Sequence, residues 1–93
     1  MTEKEFKKEY GKYSLDILTI IYMTGCNRTI PMFRYSAISN TEIKEYLKLP
    51  ETIDIQFYIN KLEDKSFIRK DTKGNYRKIY INENLPNEVK SIM

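Results

Sequence analysis

Six of the chain's sixteen cations, Lys65, Arg69, Lys70, Lys73, Arg77 and Lys78, fall in one short segment that holds a single anion, Asp71. The rest of the chain carries ten cations and twelve anions, so this segment supplies the whole of the net charge of +3. A localised basic element on a near-neutral body is what phosphate binding requires, although a solvated hairpin without a partner would read the same way. Nucleophilic and metal chemistry have far less to work with. Histidine is absent and Cys26 is the only cysteine, which removes internal disulfides, the usual zinc sites and the Cys-His and Ser-His pairs. Gly11, Gly25 and Gly74 are far apart, and there is no glycine-rich phosphate loop and no calcium loop. Asp54, Glu63 and Asp64 are the nearest cluster for carboxylate-only chemistry such as a magnesium site, and they also read simply as solvated helix positions. The chain is therefore expected not to be an enzyme and to carry no cofactor. No cationic cluster adjoins Cys26 to activate it as a redox sensor.

The elements that must position the basic segment follow from periodicity. Glu3 to Tyr13 has Phe6, Tyr10 and Tyr13 at helical spacing, weakened by Gly11. Ser14 is a candidate cap for a core helix carrying Leu15, Leu18, Ile21 and Tyr22 on one face, with Ile17 and Ile20 beside them. Gly25 and Asn27 are stop signals, and Arg28 to Ser36, containing Pro31, reads as an irregular excursion with a brief strand near Tyr35 to Ile38. Ser39-Asn40-Thr41-Glu42 is a capping-box pattern that starts a second helix, with Ile43, Tyr46 and Leu47 as its buried stripe and Pro50 preventing it from passing Leu49. A third helix is predicted from about Thr52 to Lys65, burying Ile55, Tyr58 or Ile59, and Leu62. After Phe67 the period becomes two. Strands beginning at Ile68 and running over Tyr76 to Ile81 flank Lys73-Gly74-Asn75, the signature of a β-hairpin with a basic tip. Leu85 to Met93 is a candidate short helix with proline near its start.

With 93 residues, 41% hydrophobic and 31% charged, the expectation is one globular domain spanning residues 1–93. The apolar run Ile17 to Met23 is too short to span a bilayer and the first residues do not resemble a secretory signal, so a cytoplasmic protein without membrane association is expected. The fold class is α+β: a three-helix core with a two-stranded β wing.

The stretch Ile59-Asn60-Lys61-Leu62-Glu63-Asp64-Lys65-Ser66-Phe67-Ile68-Arg69-Lys70 resembles the junction of recognition helix and wing in winged helix-turn-helix regulators of the MarR type, where Leu-Glu-x-Lys-Gly-Leu-Ile is usual. Tyr76-Arg77-Lys78-Ile79-Tyr80-Ile81 is similar to their returning wing strand, and the resemblance covers Ser39 to Asn82. Ser66 stands where glycine is common, suggesting a helix end closed without the easy left-handed residue. The resemblance implies double-stranded DNA as the partner, with the third helix in the major groove and the wing on phosphate or minor groove. Thr52, Gln56 and Lys61 would then face DNA, together with Arg69, Lys70, Lys73, Asn75, Arg77 and Lys78 of the wing. Thr52 as a mere helix cap and Gln56 as a merely solvated side chain are the alternatives.

One departure is Glu51-Thr52-Ile53-Asp54 at the start of the third helix, since Asp54 would repel phosphate. Either the acidic residues turn away, or Asp54 reads a cytosine amino group, or the helix takes part in dimer contact. In the last case the chain is similar to plasmid and phage partition adaptors of the TubR type. A homodimer is expected, through Phe6, Tyr10, Tyr13 and Phe57, with Phe57 as core the alternative reading. The function implied is transcriptional repression. Centromere binding beside a filament-forming partition protein is its near alternative, and a winged-helix domain that binds protein instead of DNA is a third.

Overall fold

The computed structural model describes residues 1–30, 33–36, 38–71 and 78–93. Its first helix, α1 (Glu3–Tyr10), starts where Thr2 accepts a hydrogen bond from the Glu5 amide at 3.2 Å. Glu3 and Glu5 in its first turn and Lys7 and Lys8 in its last complement the helix dipole. It ends at Gly11, whose backbone (φ 114°) is one that side-chain-bearing residues rarely adopt. A Cβ there would stand 2.5 Å from Cε1 of Tyr58, so the glycine both turns the chain and admits the tyrosine ring.

Helix α2 (Ser14–Thr24) forms without a side-chain cap: Tyr13 occupies the cap position, and Ser14 instead donates its hydroxyl to the Gly11 carbonyl at 2.6 Å. A missing cap costs about 1 kcal/mol. Burial of Leu15, Ile17, Leu18, Ile20 and Ile21, at roughly 1.5–3 kcal/mol each, outweighs it and makes α2 the axis of the core. Around it close Phe6, Ile43, Ile55, Ile59, Leu62, Ile68, Ile79, Ile81, Leu85 and Val89.

The described strands form one antiparallel sheet of four: β1 (Gly25–Ile30), β2 (Phe33–Ser36), β3 (Ile68–Asp71) and β4 (Lys78–Asn82), in the order β1-β2-β4-β3. The architecture is thus α+β, but the sheet is larger than the two-stranded wing expected. The excursion after α2 is a strand pair whose register shifts between Gly25 and Asn27 and again between Arg28 and Ile30. Those irregularities destroy the period-two pattern by which a strand is recognised in sequence. Its second strand pairs with the far end of the chain, Tyr35 opposite Tyr80.

The capping box forms as read: Ser39 Oγ accepts from the Glu42 amide at 3.1 Å and Glu42 Oε1 accepts from the Ser39 amide at 3.2 Å, starting α3 (Asn40–Leu47). Lys48, in the left-handed region (φ 53°), closes α3 before Pro50. Helix α4 (Ile55–Asp64) begins later than the expected Thr52, because a turn from Pro50 to Ile53 (3.1 Å) intervenes and Asp54 provides the cap. At its other end the Ser66 amide donates to the Glu63 carbonyl (2.8 Å) and the Phe67 amide to the Leu62 carbonyl (3.1 Å). This closure normally uses glycine at the left-handed position; here Ser66 takes it, at φ 61°. Phe67 then stacks on Phe6 (6.2 Å, 21°) and meets Tyr10 edge-on (5.8 Å), anchoring the start of β3 on α1. The short α5 (Asn87–Lys90) follows Pro86 and buries Val89. Among the described residues no helix is long and apolar enough to cross a membrane.

Candidate nucleic-acid interface

Helix α4 buries Ile55, Ile59 and Leu62, which leaves Phe57, Asn60 and Asp64 exposed on its opposite side, with Gln56 and Lys61 on the flanks. Strand β3 lies against this helix through side chains of both. The Lys70 ammonium sits 3.3 Å from Glu63 Oε1 and also donates to Asn60 Oδ1, while the Lys70 amide donates to Glu63 Oε2 at 2.8 Å. Gln56 Nε2 donates to the same Asn60 oxygen at 2.8 Å. Two donors therefore fill the two lone pairs of the Asn60 carbonyl, and the amide plane of Asn60 is set by its neighbours on helix and strand. Lys61 lies over the ring of Phe57, 4.7 Å from its centroid.

Asp54, the acidic residue that seemed at odds with phosphate, has a structural use: its carboxylate caps α4 by accepting from the Phe57 amide at 3.4 Å. Thr52 is exposed in the turn ahead of the helix and caps nothing. Gln56 and Lys70 are thus drawn together through Asn60, while Lys61 lies over Phe57 on the other flank of α4. Arg69 is exposed on β3, opposite Tyr80 of β4, and the backbone of Lys78 pairs with Asp71. Lys65 turns back to Glu9 of α1 at 4.0 Å, an exposed pair of little energetic weight. Lys73, Asn75 and Arg77, expected at the hairpin tip, lie outside the described residues, as do the side chains of Lys78 and Cys26.

The expected dimer residues divide. Phe6 (0% exposed) and Tyr10 are not available to a second chain: they fill the protomer's own core against Phe67, because the start of β3 needs an apolar anchor on α1. Burial raises the Tyr10 phenol above its usual range, and the neighbouring Glu9 carboxylate pushes in the same direction. Tyr13 is partly buried and faces Tyr58 edge-on at 6.2 Å. Phe57 alone of the four is substantially exposed, at 49%, and is not core.

Asn60 is the residue that sequence reasoning passed over. Its spacing of four from Gln56 was a usable signal for a shared helix face. The link from Glu63 to Lys70 was not, since it depends on how β3 lies against α4. Among the described residues no group of three histidine, cysteine, aspartate or glutamate side chains could hold a metal, and Asp54, Glu63 and Asp64 form no such group. Compared with known proteins, the chain matches no family model, no curated protein and no solved structure.

Proposed function

We propose that the chain is a winged helix-turn-helix protein that binds double-stranded DNA as a homodimer and represses transcription. In this reading α3 and α4 are the helix-turn-helix, α4 enters the major groove, and the hairpin from β3 to β4 is the wing on the phosphate backbone. The observation that carries it is the Glu63–Lys70–Asn60 junction, which joins the polar exposed side of α4 to the strand that opens the basic segment. Helix and hairpin then meet a duplex as one surface, with the helix offering Gln56, Asn60 and Lys61 to bases or phosphate and the hairpin offering cations.

Salt titration of binding to duplex DNA tests this. Replacing Lys73 and Arg77 together by alanine is expected to weaken binding to all sequences alike and to flatten the log-log salt dependence by about one unit per lost phosphate contact. Gln56→Ala is expected instead to change which sequence is preferred. A doubly substituted hairpin with unchanged affinity and unchanged salt slope would remove the hairpin from the interface.

Phe57 favours a second reading. A half-exposed aromatic on α4 beside Lys61 suits a helix that also contacts protein, as in partition adaptors of the TubR type. Selection of bound fragments separates the two readings: one short palindrome supports the repressor, and an array of direct repeats together with a filament-forming partner supports partition.

A further inference from the structure

An asparagine pairs with adenine in the major groove by using both ends of its amide, the carbonyl accepting from N6 while the amino group donates to N7. In Asn60 one of those ends is taken. Its Oδ1 accepts from the Lys70 ammonium and also from Gln56 Nε2, the latter at 2.8 Å, and a carboxamide oxygen has only two lone pairs. The amino group is different: among the described residues nothing accepts from Asn60 Nδ2, and Asn60 lies on the exposed side of α4.

Chemistry fixes which way this amide points. An ammonium has protons only to give, so the Asn60 atom that faces Lys70 must be the oxygen. Turning the amide over sets its amino group against a cation whose side chain is only 18% exposed and is held on its other side by Glu63 at 3.3 Å. Losing a hydrogen bond to a charged group disfavours the turned amide by roughly ten- to hundredfold. Gln56 by itself does not hold it, since its own amide can turn at the same time. The Lys70 charge also polarises the Asn60 amide and strengthens the outward N–H donors. Carboxylates nearby select what those donors meet. Glu63 is paired with Lys70, but Asp64 follows Asn60 by one turn on the same exposed side and Asp54 stands at the start of the helix. Both repel a phosphate and admit a neutral acceptor.

We propose that Asn60, on the duplex-binding reading above on which this depends, is a donor-only specificity residue. It reads an acceptor on a base edge, guanine O6 and N7 or thymine O4, and not adenine, and Lys70 is the positioning residue that fixes its polarity. Selection of bound duplexes from a random pool, with circular dichroism as the folding control, tests this by locating the base pair whose preference Asn60→Ala alone removes. The selected base is expected to be guanine or thymine, and the loss about tenfold on the favoured sequence. Asn60→Asp keeps an acceptor toward Lys70 and Gln56 but turns an acceptor outward as well, so the preference is expected to move to cytosine or adenine, whose amino groups donate. Lys70→Met releases the amide and is expected to admit adenine at that pair, which the loss of a general phosphate contact does not do. If Lys70→Met fails to fold, Asn60→Asp decides.

Adenine selected by the parent protein, an Asn60→Asp protein that keeps the parental base, or an Asn60→Ala protein weakened equally on all sequences, as a phosphate contact is, would overturn the assignment. Nuclear magnetic resonance of the free protein separates this from failure of the DNA reading. The Asn60 side-chain amide signals are expected to shift on Lys70→Met and on Gln56→Ala, and no shift on either sinks the fixed polarity whether or not DNA is bound. A parent that shows the shifts but binds no duplex keeps the polarity and loses both the function and the base contact.

Discussion

Gly11→Ala isolates a contact on which the placement of α4 depends. The glycine has φ 114° and ψ 162°, a region open almost only to glycine, so any side chain there introduces strain of order 1–3 kcal/mol. Added to this is the collision of the new Cβ with Tyr58, whose Cε1 would be 2.5 Å away and whose Cδ1 and Cζ would be 3.3 Å away. The ring is not free to retreat without loss, since Tyr13 packs edge-on against it at 6.2 Å and Phe57 at 5.7 Å, and such overpacking costs roughly 1–3 kcal/mol. A combined loss of about 3 kcal/mol corresponds to a fall in Tm of about 12–24 °C for a chain of this size. Thermal melts followed by circular dichroism measure it, and Tyr58→Ala completes a double-mutant cycle. Without the ring, only the backbone strain remains, so the two substitutions should couple by about 1–3 kcal/mol. A Gly11→Ala protein melting within about 2 °C of the parent would refute the left-handed backbone, and an equal cost in both backgrounds would refute the collision.

Ser66→Gly is expected to stabilise by about 0.5–1 kcal/mol, because the helix closure at φ 61° is the kind glycine adopts without steric cost; an unchanged or lower Tm counts against it. Lys70→Ala should lower stability by about 0.5–1.5 kcal/mol through the loss of its bonds to Glu63 and Asn60, and should change the DNA salt slope less than Arg69→Ala does. Equal flattening by both would mean that Lys70 leaves Glu63 to meet phosphate. Because the Tyr10 phenol is held above its usual value near 10, the unfolded chain ionises first on the alkaline side. The stability it contributes is complete below about pH 10 and is lost as pH rises through the folded value, so denaturant melts should weaken there less steeply for Tyr10→Phe.

The residues themselves determined the elements whose signals are local. A capping box acts over four residues, so Ser39 and Glu42 declared α3 outright. The stripe Ile55, Ile59, Leu62 placed α4 to within a turn, and the basic segment was a matter of counting charges. The start of α4 was also legible in principle, since Asp54 is a better cap than Thr52 once Pro50 has set a turn. What the tertiary structure decided was everything that joins distant parts of the chain. Strand β2 finds its partner in β4, and its own hairpin is bulged, so neither alternation nor turn chemistry announced a four-stranded sheet. Phe6 and Tyr10 looked like a spare apolar stripe because Phe67, which they receive, lies nearly sixty residues away. Lys70 read as a free cation until β3 set it beside Glu63, and Tyr46 read as part of a buried stripe, whereas the packed α3 leaves it 73% exposed. Periodicity reports which side of an element is apolar; only the packed chain shows whether that side has been covered, because burial is a property of the neighbours and not of the residue.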